Sequence, residues 1–97
     1  MPHYIAIVEE AGPDTAIGIW FPDLPGCLSA GDDIDDALRN AEEALALYAE
    51  AEREEGRSLP PPRTLSELRM NPAAADDIQK YMVALVALPA SVADAAE

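Results

Sequence analysis

The sequence predicts an α+β domain of two layers, an antiparallel sheet with one long helix packed across a face. Three observations carry that expectation. Short apolar runs rich in β-branched and aromatic residues occur at 4–8, 15–21 and 81–88. A long stretch from Asp33 to Gly56 repeats its apolar residues at helical spacing. Proline and glycine punctuate the junctions between these segments. The chain's 97 residues are enough for one core and one domain.

Residues 4–8 (YIAIV) are apolar on both faces and read as a central strand, ended by the turn-forming Gly12-Pro13-Asp14. Residues 15–21 (TAIGIWF) give a second strand, close enough for an antiparallel hairpin. Trp20 and Phe21 are adjacent and so point to opposite faces, one under the helix and one on the far side. Pro22 and Pro25 cannot donate to a sheet, so pairing lapses there. Pro25-Gly26 suits the centre of a type II turn, and Asp23 suits an Asx-turn. Residues 27–30 form a short third strand, and Gly31 releases the chain into the helix.

In that helix Ile34, Ala37, Leu38, Ala41, Leu45, Tyr48 and Ala51 form the expected inward stripe. Asp33 is the N-cap, with Asp36 as a shortened capping-box acid. Asp35 and Asp36 also suit the positive end of the helix dipole. Gly56 suits the position just past the helix, and Pro60 to Pro62 forbid continuation in favour of extended chain. Thr64 with Glu67 caps a short helical turn over 64–69 that Pro72 limits, and a further turn falls around 73–78. Residues 81–88 read as a buried strand. The right-handed crossover rule predicts that this last strand lies parallel to a strand of the meander. Its apolar faces predict that it pairs centrally with the first strand.

Charge narrows the function. Six Lys and Arg against 19 Asp and Glu leave a net charge of −13. Such a surface repels phosphate backbones and anionic lipid and attracts basic partners. One cysteine, Cys27, permits no internal disulfide and fits a reducing compartment. No run approaches the about twenty apolar residues of a membrane span, and the N-terminus lacks a signal-peptide layout. The expectation is a cytoplasmic protein.

The residues offer little chemistry. Asp32, Asp33, Asp35, Asp36, Glu42, Glu43, Glu50, Glu52, Glu54 and Glu55 mostly lie off the apolar stripe, so a hydrated or partner-binding face outweighs a metal site. Cys27 and the single histidine, His3, make a thin thiol dyad, and a gap-filling cysteine is the simpler reading. Phosphate-binding glycine loops and paired CxxC motifs are missing from the sequence. The expectation is no enzyme, no cofactor and no metal.

The stretch FPDLPGCLSAGDDIDDALRNAEEAL, followed by a glycine and LPPP, resembles the N-terminal domain of the HicB family of bacterial antitoxins. The matching features are the turn Phe21, Pro22, Asp23, Leu24, Pro25, Gly26 and Cys27, then Gly31-Asp32, Asp35-Asp36, Asn40-Ala41, Gly56 and Pro60 to Pro62. The resemblance covers residues 4–88. It implies a partial RNase H-like β-β-β-α-β fold and the antitoxin role in a type II toxin–antitoxin pair. The implied partner is a HicA-like toxin, a small basic ribonuclease that cleaves mRNA and whose catalytic histidine the antitoxin covers. The acids of an RNase H active site are missing from YIAIV, AIGIW and YMVALVAL, so nuclease activity of that kind is not expected.

Residues 1–89 are the expected antitoxin domain and 90–97 a C-terminal tail. Many family members continue from this point into a DNA-binding segment, so no DNA binding is expected of these 97 residues alone. Glu42 and Glu43 are the candidate partner contacts, and the PDLPGC residues a structural turn. One helix shields one face of four strands, which predicts a dimer or higher homo-oligomer with the face away from Leu38, Leu45 and Tyr48 at least partly buried between subunits. The alternative is a solitary HicB-like binding or regulatory module without a HicA partner. A neighbouring reading frame for a small basic protein separates the two.

Overall fold

The computed structural model describes residues 2–88. The elements run β1 (His3–Glu10), β2 (Ile17–Trp20), β3 (Leu28–Gly31), α1 (Ile34–Glu54), α2 (Leu65–Arg69), α3 (Pro72–Lys80) and β4 (Met82–Ala87). The four strands form one sheet in the order β3-β2-β1-β4, and each neighbouring pair is antiparallel. This is the α+β architecture expected, with α1 as its one long helix.

Strand alternation divides β1 between two apolar layers. Tyr4, Ala6 and Val8 are buried with Ile17, Ile19, Phe21, Leu24 and Cys27 against Ala37, Ala41, Leu45 and Ala49 of α1. Ile5 points the other way and is buried with Leu68 of α2 and Ala74 of α3. Phe21 therefore lies under α1. Trp20 stands on the far face, edge-on to Tyr81 with ring centroids 5.4 Å apart.

The ends of α1 follow the sequence closely. Asp33 accepts from the Asp36 N–H at 2.7 Å, and the Asp36 carboxylate accepts from the Asp32 N–H at 3.1 Å. At the far end the Arg57 N–H donates to the Glu52 carbonyl and the Gly56 N–H to the Arg53 carbonyl. That is a Schellman closure, with Gly56 at φ 76. The inward stripe drifts as a 3.6-residue period must, so Ala49 is buried and the expected Ala51 is exposed.

Two sequence expectations are corrected. β4 runs antiparallel to β1, and it occupies an edge of the sheet rather than its centre. The cause is a second traverse of the sheet between α1 and β4. Pro60 accepts a hydrogen bond from the Tyr4 hydroxyl at the start of β1, whereas Met82 pairs with Val8 near the end of β1. In between, α2 and α3 carry the chain along the far face, so it enters β4 from the opposite end. A crossover by α1 alone would have made β4 parallel.

The same traverse covers part of the face expected to be at least partly buried between subunits. The chain's own α2 and α3 pack on that face, over Ile5 and Val83. α2 begins with the anticipated Thr64–Glu67 capping box. α3 is longer than the turn expected at 73–78, with Asn71 as N-cap and Pro72 in its first turn. The expected tail, 90–97, lies outside the described residues.

Candidate partner-binding surface

The PDLPGC stretch folds as two successive turns, with the Leu24 N–H bonded to the Phe21 carbonyl and the Cys27 N–H to the Leu24 carbonyl. Pro25 and Gly26 occupy the centre of the second turn, and Gly26 has φ 87, a type II geometry that favours glycine. Phe21, Leu24 and Cys27 point inward and are buried, while Pro25 and Gly26 are exposed. Tyr48 of α1 donates to the Pro25 carbonyl at 3.1 Å, which fixes the turn against the helix.

Asp23 does not make the local Asx-turn that its position suggests. Its buried carboxylate accepts from the Arg63 guanidinium Nε at 2.6 Å and from the Arg63 backbone N–H at 2.9 Å. Arg63 directly precedes the N-cap of α2. The turn is thereby fastened to the segment that starts the second traverse, and the Asp23 charge adds to burial in raising the Tyr4 hydroxyl above its ordinary range.

Gly31 has a role that its sequence position hides. A Cβ there would lie 2.3 Å from the Ala37 backbone nitrogen, so the end of β3 and the first turn of α1 touch through this glycine. The Asn40 side chain of α1 donates to the Ala30 carbonyl of β3 at 2.9 Å.

The two residues of the expected thin thiol dyad, Cys27 and His3, are not brought together. Cys27 is buried before β3, and burial alone pushes its thiol up to about 11. His3 is exposed at the start of β1 opposite Ala87 of β4, on the other side of the sheet from β3. The acids Glu10, Asp32, Asp33 and Asp35 border an open cleft of about 410 Å³ beside the start of α1. Among the described residues no group of three or more His, Cys, Asp or Glu is placed to hold a metal ion. A second cleft, of about 250 Å³, lies between the Trp20–Pro25 segment and α3.

What the molecule presents outward is the solvent side of α1. Glu42 and Glu43 are both exposed there. Glu43, Leu47, Glu50 and Glu54 follow one another at spacings that keep them on one helix face. Leu47 is 65% exposed, an apolar side chain framed by carboxylates. Sequence periodicity singled out the acids and missed Leu47. Its signal was available: it lies off the inward stripe, with Glu at four before, three after and seven after. From residue 32 to 55 the segment holds ten acids and two arginines. Arg39 is held by Asp36. Just past the helix Arg57 forms a two-pronged pair with Glu52, which keeps that carboxyl below its ordinary range. This surface can offer an apolar anchor and a negative field.

Residues 4–96 match the family described as HicB_like antitoxin of bacterial toxin-antitoxin system. The Burkholderia pseudomallei antitoxin HicB has a similar crystal structure, at 30% identity and a TM-score of 0.75, over 95% of this chain and 67% of that one. A chain of the HicA3 and HicB3 toxin-antitoxin complex is similar at 28% identity and a TM-score of 0.68, over 90% of this chain and 98% of that one. An uncharacterized 14.9 kDa protein in the rep-hol intergenic region of Haemophilus phage HP1 is 37% identical over 75 residues, 77% of this chain. The chain spans 55% of the length of that phage protein.

Proposed function

The chain belongs to the HicB-like antitoxin family of bacterial toxin–antitoxin systems, and from that premise we propose that it binds and neutralises a HicA-type mRNA-cleaving toxin. The observation that carries the reading is the exposed side of α1, where Glu43, Glu50 and Glu54 share a face with Leu47 and Glu42 is exposed nearby, on a chain of net charge −13. A buried apolar anchor ringed by charge is a common form of protein–protein recognition. A basic ribonuclease surface is its electrostatic complement. The HicA3–HicB3 complex, in which a related chain occurs, supports the same pairing.

In this reading the protein does no chemistry and acts by covering its partner. Glu42 and Glu43 steer the toxin, and Phe21 to Cys27 set the turn that holds α1, α2 and the sheet together. Residues 1–89 act as the toxin-binding domain, and 90–97 form a tail. The protein works in the cytoplasm, with the mRNA that its partner cuts.

The test is co-expression with the product of an adjoining reading frame that encodes a small basic protein with one histidine. Rescue of growth, together with co-purification of the two chains, is the expected result. Unrelieved toxicity with no complex would overturn the reading.

A further inference from the structure

The far face of the sheet is only partly covered. α2 and α3 pack over Ile5 and Val83, on the β1–β4 side. On the β2–β3 side Trp20 pairs in register with Leu28, and cross-strand partners stand on the same face. Leu28 is 68% exposed there and Trp20 is half-buried. The cleft of about 250 Å³ opens where the cover ends, between the Trp20–Pro25 segment and α3. The residues that border it all lie between positions 20 and 77, within the described part of the chain.

Both walls of the cleft are fixed before anything enters it. Pro22 and Pro25 stand on one side, in the turn that Tyr48 holds to α1 and Asp23 holds to Arg63. On the other side Ala73 and Ala74 lie one helical turn before Asp77, so the three share a side of α3. Ala74 is buried and anchors that wall. The small alanines leave the space open, and a longer side chain at 73 would fill it. Preformed walls remove the cost of ordering the site when a ligand binds.

Two charged side chains border the cleft, and they differ in what they already hold. Arg63 donates its Nε to Asp23 at 2.6 Å, so its charge is matched. Asp76, next to Asp77, is matched by Lys80 at 3.0 Å. The Asp77 carboxylate accepts no hydrogen bond and makes no ion pair among the described residues. The unmatched charge of the cleft is therefore negative, and it lies across from an indole. A cation on an apolar stem satisfies both walls. Guanidinium suits them better than ammonium, because it stacks on aromatic faces and is more weakly hydrated. The volume falls below the about 300–1,000 Å³ of pockets for drug-sized ligands, and leaves room for one long side chain.

We propose that this cleft is a second protein-binding site, and that it takes one arginine side chain of a basic partner. The guanidinium stacks on Trp20 and pairs with Asp77, while the methylenes lie between Pro22 and Ala73. The net charge of −13 draws such a partner toward the chain. The cleft and the outward side of α1 are on opposite sides of the sheet, so the site stands independently of the toxin reading.

Trp20 is the only tryptophan of the chain, so its emission reports on the cleft directly. The probe is a short acetylated alanine peptide with one central arginine, titrated into the 97-residue chain at constant ionic strength. Matched peptides carry lysine or citrulline, the neutral isostere, in its place. The expected result is a saturable change in Trp20 emission with arginine, weaker binding with lysine and none with citrulline. Asp77→Asn should weaken the arginine peptide about threefold to fivefold, as for a partly exposed ion pair. Ala73→Leu should abolish binding, with circular dichroism unchanged in both variants. Charge reversal at Glu42 and Glu43 should leave the affinity within about twofold, since salt screens charges across the molecule. No saturable response, citrulline or lysine bound as tightly as arginine, or an affinity unchanged in Asp77→Asn would each overturn the proposal. So would loss of binding on reversal at Glu42 and Glu43, which would reduce the effect to general attraction. Should Ala73→Leu fail to fold, Asp77→Asn and the citrulline peptide decide.

Discussion

Asp23 and Arg63 lie 40 positions apart, and they are joined twice, side chain to side chain at 2.6 Å and side chain to backbone at 2.9 Å. The Asp23 side chain is almost fully buried and the Arg63 side chain is about a third exposed. One carboxylate thus ties the PDLPGC turn to the residue before the α2 cap. The turn is fixed to α1 as well, through Tyr48 and Pro25. The motif's aspartate positions the second traverse, on which the direction of β4 depends.

Asp23→Ala should accordingly lower stability by about 1.5–3 kcal/mol, the range for hydrogen bonds to a charged group. The exposure of Arg63 keeps the figure below that of a fully buried pair. A double-mutant cycle with Arg63→Ala in denaturant should return a coupling of about 1 kcal/mol or more. Additive losses would mean that the two residues act separately.

Local signals made most of the elements legible. The Asp33 cap, the Gly56 stop, the Thr64–Glu67 box and the Pro25-Gly26 turn all depend on residues within a few positions of one another. What escaped was set by distance. Asp23 has a local use that any reader of sequence would assign it, and its actual partner is 40 residues away. Pro72 limits a helix that precedes it and starts one that follows, and only the first role was read. With α3 underestimated, the second traverse vanished, and β4 was assigned the wrong direction and place. The acidic residues of the candidate surface were plain from composition. Leu47 was not, because its exposure depends on the phase of a helix whose stripe drifts.

The two motif glycines should fail for different reasons. At Gly26 a Cβ meets nothing within 4 Å, so the cost of Gly26→Val is backbone strain at φ 87, about 1–3 kcal/mol. At Gly31 even Gly31→Ala drives a Cβ into the α1 backbone, and displacing the helix start should cost about 3 kcal/mol. Thermal melts should place Gly31→Ala below Gly26→Ala, which carries the strain without bulk. The reverse order would contradict the close approach of β3 and α1.

Cys27 gives the molecule an alkaline dependence. Its thiol has a folded value of about 11 against an ordinary 9.0, raised by burial. The unfolded thiol ionises first, so the stabilisation is full below about pH 9 and is lost as pH rises toward 11. The raised hydroxyls of Tyr4 and Tyr48 act in the same direction. Chemical denaturation of Cys27→Ser and the parent between those limits should show a steeper decline in the parent. At neutral pH the native thiol should react with a disulfide reagent about a hundredfold more slowly than in denaturant, from thiolate fraction alone. Equal rates would place Cys27 at the surface.

Electrostatic steering to a basic toxin predicts an on-rate that falls as salt rises, with the off-rate changing far less. Charge reversal at Glu42 and Glu43 should slow association and flatten that salt dependence. Leu47→Ala should leave the on-rate and speed dissociation, because an apolar anchor acts after encounter. Stopped-flow measurement at several ionic strengths separates the two. An on-rate indifferent to salt would remove the acidic face from recognition.

DNA is the remaining partner to settle for this chain. Sequence-specific binding needs cations to hold phosphates and side chains to read base edges. The chain has six cations, Arg39, Arg53, Arg57, Arg63, Arg69 and Lys80, against 19 acids. Four of them are engaged by carboxylates: Arg39 by Asp36, Arg57 by Glu52, Arg63 by Asp23 and Lys80 by Asp76. Freeing any of these for a phosphate would break its pair, and Arg63 would take the α2 entry with it. The six also lie on α1, the connector, α2 and α3 rather than along one helix that could enter a groove. The 97 residues should therefore give no sequence-specific, salt-sensitive gel shift on the promoter of their own operon near physiological salt. A shift that cognate DNA competes away and random DNA does not would require a cationic surface that this fold, with most of its cations paired, does not supply.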